Sequence, residues 1–391
     1  MRRRNRSGYS IDIYGKKEEL CDGLYIDIGG ARFTMLSLTS IHKDAIKKWL
    51  DGFREFMQTE SGQEGYKDRV LRCDSYQAAL LVDKIADLIE GDLEKLLGDL
   101  WANELWTDKS QPLKRILGAT TLVKFKTELK KLLWEVKPLS IRYDEFRTNV
   151  KGMGPAATTE LLALVHPDEC AIWNKRARNA LEVLKIDDIV PVKYRINGDE
   201  YTKIVDVLKQ VKDELMSANL PRTIKDLMDV DYFFDYIYNN MPPVVQPPVQ
   251  LDDYDFDHDE VKDALYELGG ALGFEVETEV PIAKGAKIDV LWKAKIANLG
   301  VVKYVFEVHR SGSIDGLILN LQRAKGDPAV QRLIAVSNTK NLSVIKEEIS
   351  LLPEEFRKSL AFMEANDALK ASDLIKNLKE ILDKLELVKS L

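Results

Sequence analysis

GAKIDVLWKAKIANLGVVKYVFEVHRSGSIDGLILNLQRAK, residues Gly285 to Lys325, holds two runs that read as strands. In the first, Asp289 sits among Ile288, Val290, Leu291 and Trp292. In the second, Glu307 ends the run Val301-Val302-Lys303-Tyr304-Val305-Phe306, whose β-branched and aromatic residues suit a pleated, half-buried surface. A hairpin through Lys295 to Gly300 sets the two strands side by side and brings Asp289 and Glu307 into one notch about 5 Å apart, the spacing of neighbouring strands. Two carboxylates at that distance repel, and a divalent cation, Mg2+ or Mn2+, is the simplest partner that keeps both ionised. A polar segment, His309 to Ser313, follows, and then an amphipathic helix over Ile314 to Lys325. Such a site polarises a phosphodiester and activates water.

This order of elements resembles the PD-(D/E)xK, or restriction-endonuclease-like, nuclease core, over roughly Asp259 to Asn338. The first helix is expected over Asp259 to Leu272, with Gly273 closing it and Phe274 opening a strand. Within the resemblance Asp289 matches the motif's Asp and Glu307 its Glu, and Glu260 stands where some members add a third acid to the metal set. Gln322 stands where some keep a polar residue facing the site. The departure is His309, which replaces the motif's Lys. That lysine is thought to position the attacking water, and an imidazole with a pKa near 6.5 can act as a base in a related way. The competing readings are that Asp289 and Glu307 are ordinary edge carboxylates, or relics of a nuclease fold kept for binding.

At 391 residues the chain has material for two or three domains. Three scattered cysteines, Cys21, Cys73 and Cys170, with no C-x-x-C pair, argue against a zinc ribbon or disulfide framework and fit a reducing compartment. No apolar run approaches the length of a membrane span, and the start MRRRNRSG lacks a signal peptide's apolar core, so a cytoplasmic, membrane-free protein is expected. A net charge of −7 excludes a generic nucleic-acid coat, so any DNA contact must come from local basic surface. The Met1 to Arg6 cluster is one such patch, or a solubilising tail.

Upstream, LYIDIGGARFTMLSL from Leu24 to Leu38 reads as a β-hairpin turning at Gly29-Gly30. Helical spacing then covers His42 to Met57, Ser75 to Leu97 and Leu113 to Leu133. Gly152-Met153-Gly154-Pro155 makes a tight turn into an apolar helix, and the unpaired amides at its start suit a DNA phosphate.

The run from Gly152 through Ala156 and Ala157 to Asn174-Lys175-Arg176 is similar to the helix-hairpin-helix of the DNA glycosylase superfamily. Asn174 stands in the place of that family's catalytic Asp, and no Lys stands in the hairpin helix. The resemblance therefore implies DNA binding through Gly152, Met153, Gly154, Ala156, Ala157, Lys175 and Arg176, without base excision. A structural turn, with Asn174 as a helix N-cap, is the other reading.

Prolines 242, 243, 247 and 248 and the acidic run after them mark a linker of limited flexibility. In the final helix, expected over Ala368 to Val388, Leu374, Leu378, Ile381 and their neighbours form an apolar stripe, either packed on its own domain or a homodimer seam.

The expected architecture is a multidomain α+β chain. A small α+β region spans 1–110, a helix-hairpin-helix region 111–240, a Pro-rich linker 241–257, and an α/β restriction-endonuclease-like domain with C-terminal helices 258–391. The expected function is a metal-dependent endonuclease on double-stranded DNA, of restriction, defence or repair type. The alternative is a non-catalytic DNA-binding or sensor protein on a degenerate nuclease fold.

Overall fold

The computed structural model describes residues 25–28, 31–34, 37–106, 108–241, 256–283, 286–296 and 300–384. The chain is mixed α+β. It opens with β1 (Tyr25–Ile28) and β2 (Ala31–Thr34), antiparallel with Ile28 opposite Ala31, so two residues connect them as the Gly29-Gly30 reading expects. Helices follow in the order α1 (Ser40–Phe56), α2 (Glu60–Ala79), α3 (Glu90–Gly98), α4 (Gln111–Leu117) and α5 (Leu122–Trp134). Then come α6 (Leu139–Asn149), α7 (Pro155–Val165), α8 (Lys175–Val183), α9 (Gly198–Ser217) and α10 (Leu227–Asn240). One apolar core runs through them from Leu38 to Ile237, with Phe53, Phe125, Phe146, Trp173 and Phe233 fully buried.

The expected helix over Ser75 to Leu97 is not one helix. The chain leaves helical geometry at Leu80 and re-enters it only at Glu90, and a turn between them buries Leu80 and Ile85 while Leu81 and Ile89 stay exposed. Near-helical spacing of apolar residues was met by a turn, because a turn can also bury alternate positions. The run Leu113 to Leu133 likewise divides, at Gly118.

The C-terminal part contains α11 (His258–Ala271), β3 (Glu275–Ala283), β4 (Ala286–Lys295), β5 (Val301–Val308), α12 (Ile314–Lys325) and β6 (Val330–Ser337). It ends with α13 (Thr339–Ser350), α14 (Glu354–Ser359), β7 (Leu360–Glu364) and α15 (Ala365–Lys384). The five strands form one sheet in the order β3-β4-β5-β6-β7. It is antiparallel from β3 to β5 and parallel from β5 to β7. α11 and α15 cover one face through Val261, Leu265 and Ala368 against Val290, Trp292, Phe306 and Val336. α12 and α13 cover the other through Leu317, Leu321 and Ile345 against Val305, Leu333 and Ala335.

Trp106 belongs to this second core although it lies far upstream in sequence. Its ring centroid is 4.2 Å from that of Tyr266, and a Cβ on Gly270 of α11 would collide with it. The turn that presents it, Trp101–Asn103, is held by the buried Glu160 carboxylate, which accepts the Trp101 and Ala102 N–H groups at 2.7 and 2.9 Å. The Met1 to Arg6 cluster and residues 242–255 of the expected linker lie outside the described residues. Among the described residues no helix is long and apolar enough to cross a membrane.

Candidate active site

β4 and β5 pair with Val290 opposite Phe306, so the next pair along is Asp289 and Glu307. The ladder opens there, and the Asp289 side chain takes over a ladder position: the Val308 N–H donates to its Oδ2 at 2.8 Å. Both carboxyl groups lie where the sheet is covered on each face, and Glu307 is only 5% exposed. Burial pushes the Glu307 carboxyl up to about 9, and the neighbouring Asp289 charge adds to the rise. Burial also works against ionisation of Asp289, but hydrogen bonds from His258, Glu307 and the Val308 N–H together hold it below the usual carboxylate range. The opposite shifts have one physical cause, two like charges at close range in a buried place. Protonated Glu307 donates to ionised Asp289, the arrangement two like charges adopt when both cannot ionise.

The second Glu307 oxygen, Oε1, is buried with no hydrogen-bond partner. Buried polar atoms are usually satisfied, and this oxygen keeps a lone pair that the protein itself does not fill. The donor set fits a hard divalent cation: two oxygen ligands side by side, one carrying an unused lone pair. Among the described residues no three His, Cys, Asp or Glu side chains already stand together as a metal cage. The remaining coordination positions would therefore fall to water and substrate, as Mg2+ usually prefers.

His309 follows β5 and its N–H donates to the Val336 carbonyl at 2.8 Å, so the β5–β6 ladder continues one residue past the strand. Its side chain is buried, and that burial, with the His258 charge nearby, lowers its pKa below the ordinary histidine value. The imidazole is thus neutral at pH 7 and able to accept a proton.

Two of the expected residues, Glu260 and Gln322, do not join the pair. Glu260 does not approach the pair; it forms a short ion pair with Arg178 of α8. The α11 residue that does reach the pair is His258, whose Nε2 lies 3.4 Å from Asp289 Oδ2. On α12, Gln322 is exposed, and Asn320 is the residue that bonds Glu307.

The expected tight turn forms between α6 and α7. Gly152 has φ +84°, and a Cβ there would lie 2.9 Å from the Arg115 carbonyl, so glycine is required by the backbone alone. Met153 and Ala157 are buried, while Ala156 is partly exposed. Asn174 caps α8, accepting the Ala177 N–H at 2.9 Å. Lys175 pairs with Asp373 of α15, and Arg176 with Asp235 of α10 at 2.7 Å. A cavity of about 230 Å³ lies at this junction rather than at the acidic pair, lined by Gly154, Arg176, Tyr194 and Asp263 among others.

His258, Asn320 and the partners of Arg178 and Lys175 were not found from sequence. Asn320 lies on the helix that follows β5, while the others come from elements distant in the chain, and only His258, next to the helix-start Asp257, carried a local signal. Compared with protein-family models, with curated proteins and with solved structures, the chain finds no match.

Proposed function

We propose that this chain is a divalent-metal-dependent nuclease that hydrolyses DNA phosphodiesters at Asp289 and Glu307. The observation that carries the reading is Asp289 and Glu307 side by side on neighbouring strands, with Glu307 Oε1 buried and unpartnered. The order α11-β3-β4-β5-α12-β6, with the two acids on adjacent central strands, supports the restriction-endonuclease-like assignment. Asp289 and Glu307 would hold Mg2+ or Mn2+, which would supply charge neutralisation at the phosphate and a more acidic water. The chain's own residues do the rest. Glu307 would release its proton to solvent on holding the ion, and Asp289 is held in place by the Val308 N–H and His258. Neutral His309 takes the proton of the water that attacks phosphorus as the P–O ester bond breaks and the leaving oxygen is protonated from solvent.

Double-stranded DNA is the substrate this reading favours, with the helix-hairpin-helix region as the grip. The exposed Leu374, Leu378 and Ile381 on α15 suit a homodimer that cuts both strands. The scattered cysteines go with a cytoplasmic enzyme. A second reading, a non-catalytic DNA-binding or sensor protein, is favoured by one observation: a buried His309 where the nuclease motif carries lysine.

Plasmid cleavage with Mg2+ or Mn2+ separates the two. Nicking or linearisation that disappears in EDTA and in Asp289→Ala is expected. Binding without cutting under every divalent ion would leave the sensor reading.

A further inference from the structure

The junction between the helical region and the C-terminal domain is lined by cations on one side and carboxylates on the other. Arg115 of α4 pairs with Asp263 of α11 at 2.7 Å, Arg178 of α8 with Glu260 of α11, and Lys175 of α8 with Asp373 of α15. Arg195 adds a fourth pair across the junction, with Asp259. The first three cations and their partners line the same cavity as Gly152 and Gly154. Asp263 lies at the mouth of that turn: a Cβ on Gly154 would be 3.3 Å from its Oδ2. Arg115 lies 3.8 Å over the Tyr266 ring as well, so its guanidinium is fixed in place.

Arg and Lys side chains beside a glycine turn are what bind a phosphate backbone, and here each of the first three cations faces a carboxylate of the same chain. We propose that Glu260, Asp263 and Asp373 occupy the positions that backbone phosphates of a nucleic acid take on the helical region. The strand to be bound then competes with the protein's own carboxylates for Arg115, Lys175 and Arg178. This rests on the DNA reading above and deepens it. The gripping surface and the C-terminal domain exclude one another at this junction until nucleic acid displaces the carboxylates, while Trp106 keeps the domain attached through apolar packing.

The test uses the full chain in EDTA, where no cutting can occur, and reads binding of a labelled duplex by fluorescence anisotropy over a salt series. Glu260→Gln with Asp373→Asn frees Lys175 and Arg178 with almost no change in shape. The expected result is about tenfold tighter binding near 0.1 M salt and a slope of log K against log salt steeper by about 2, one for each freed cation. Adding Lys175→Ala and Arg178→Ala to that variant should return both quantities to wild-type values.

Unchanged affinity and slope overturn the proposal, as does tightening that survives loss of both cations, or absence of binding by every variant. If the double variant does not fold, Asp373→Asn alone breaks a pair at the surface, 38% and 29% exposed, and its slope should steepen by about 1. Tightening in a protein that cuts nothing would keep this inference and remove only the nuclease reading. Cutting without tightening does the reverse.

Discussion

Replacing Glu307 by glutamine should stabilise the metal-free protein near neutral pH, although losing a buried carboxylate usually costs stability. The folded-state pKa of Glu307 is raised above its ordinary 4.5 by burial and by Asp289. Below that value both the folded and unfolded chains hold the proton and the group is neutral in its effect. As pH rises, the unfolded chain loses the proton while the folded one keeps it. Stability therefore falls by roughly 1.4 kcal/mol per pH unit until the folded group itself titrates. Asp289 acts in a different window. Its folded pKa is depressed, so its contribution is present above its ordinary 3.8 and is lost as pH falls.

Between about pH 5 and 8 the difference between the two proteins comes from Glu307 and amounts to ~2–4 kcal/mol. Glutamine keeps the volume and donates to Asp289 as the protonated acid does, so its curve should lack that fall, while the titration of Glu160 and His309 is common to both proteins. Urea unfolding in EDTA across that range should show the two proteins converging near pH 5 and separating toward pH 8, the variant being the more stable. With Mn2+ the order should reverse, because only the wild type gains a ligand that binds the folded state. Parallel curves in EDTA, or a variant less stable at pH 8, would refute the shared-proton assignment.

His309→Ala should cut DNA ~10²-fold or more slowly, the usual size of a general-base contribution, while His309→Lys restores the motif's residue and keeps activity; equal rates for Ala and wild type in single-turnover cleavage would remove His309 from the chemistry. Trp106→Ala removes a buried indole from the C-terminal core and should cost about 3–5 kcal/mol at the junction, so calorimetry should resolve separate transitions for the two parts. A single unchanged transition would show that the indole does not join them.

The acidic pair was legible because it depends on local rules. Alternation fixed which strand residues face each other, and the short connection after Lys295 fixed the register, so Asp289 and Glu307 follow from Val290 facing Phe306. The helix Ile314–Lys325 and the strand ending at Ser337 were legible for the same reason, each having a clear period and clear stops.

His258 was hidden because a helix start approaches an inner strand of a sheet only through tertiary packing. Asn320 in place of Gln322 is a matter of helix rotation, which two residues of sequence cannot decide. α2 was missed because few of its residues are buried, and Ser75 to Leu97 was over-read because apolar spacing alone does not exclude a turn. The junction was least legible of all. Arg178 and Glu260 are 82 residues apart, and a net charge carries no information about which charges meet.

The central claim is that Asp289 and Glu307 together hold a divalent cation, and the most direct measurement is calorimetric titration of the full chain with Mn2+ in two buffers of different protonation enthalpy. The account predicts saturable binding at one site near pH 7.5 with release of about one proton per ion, the proton shared by the pair, and loss of both in Asp289→Ala. Absence of binding, binding without proton release, or binding of equal strength in Asp289→Ala would contradict it.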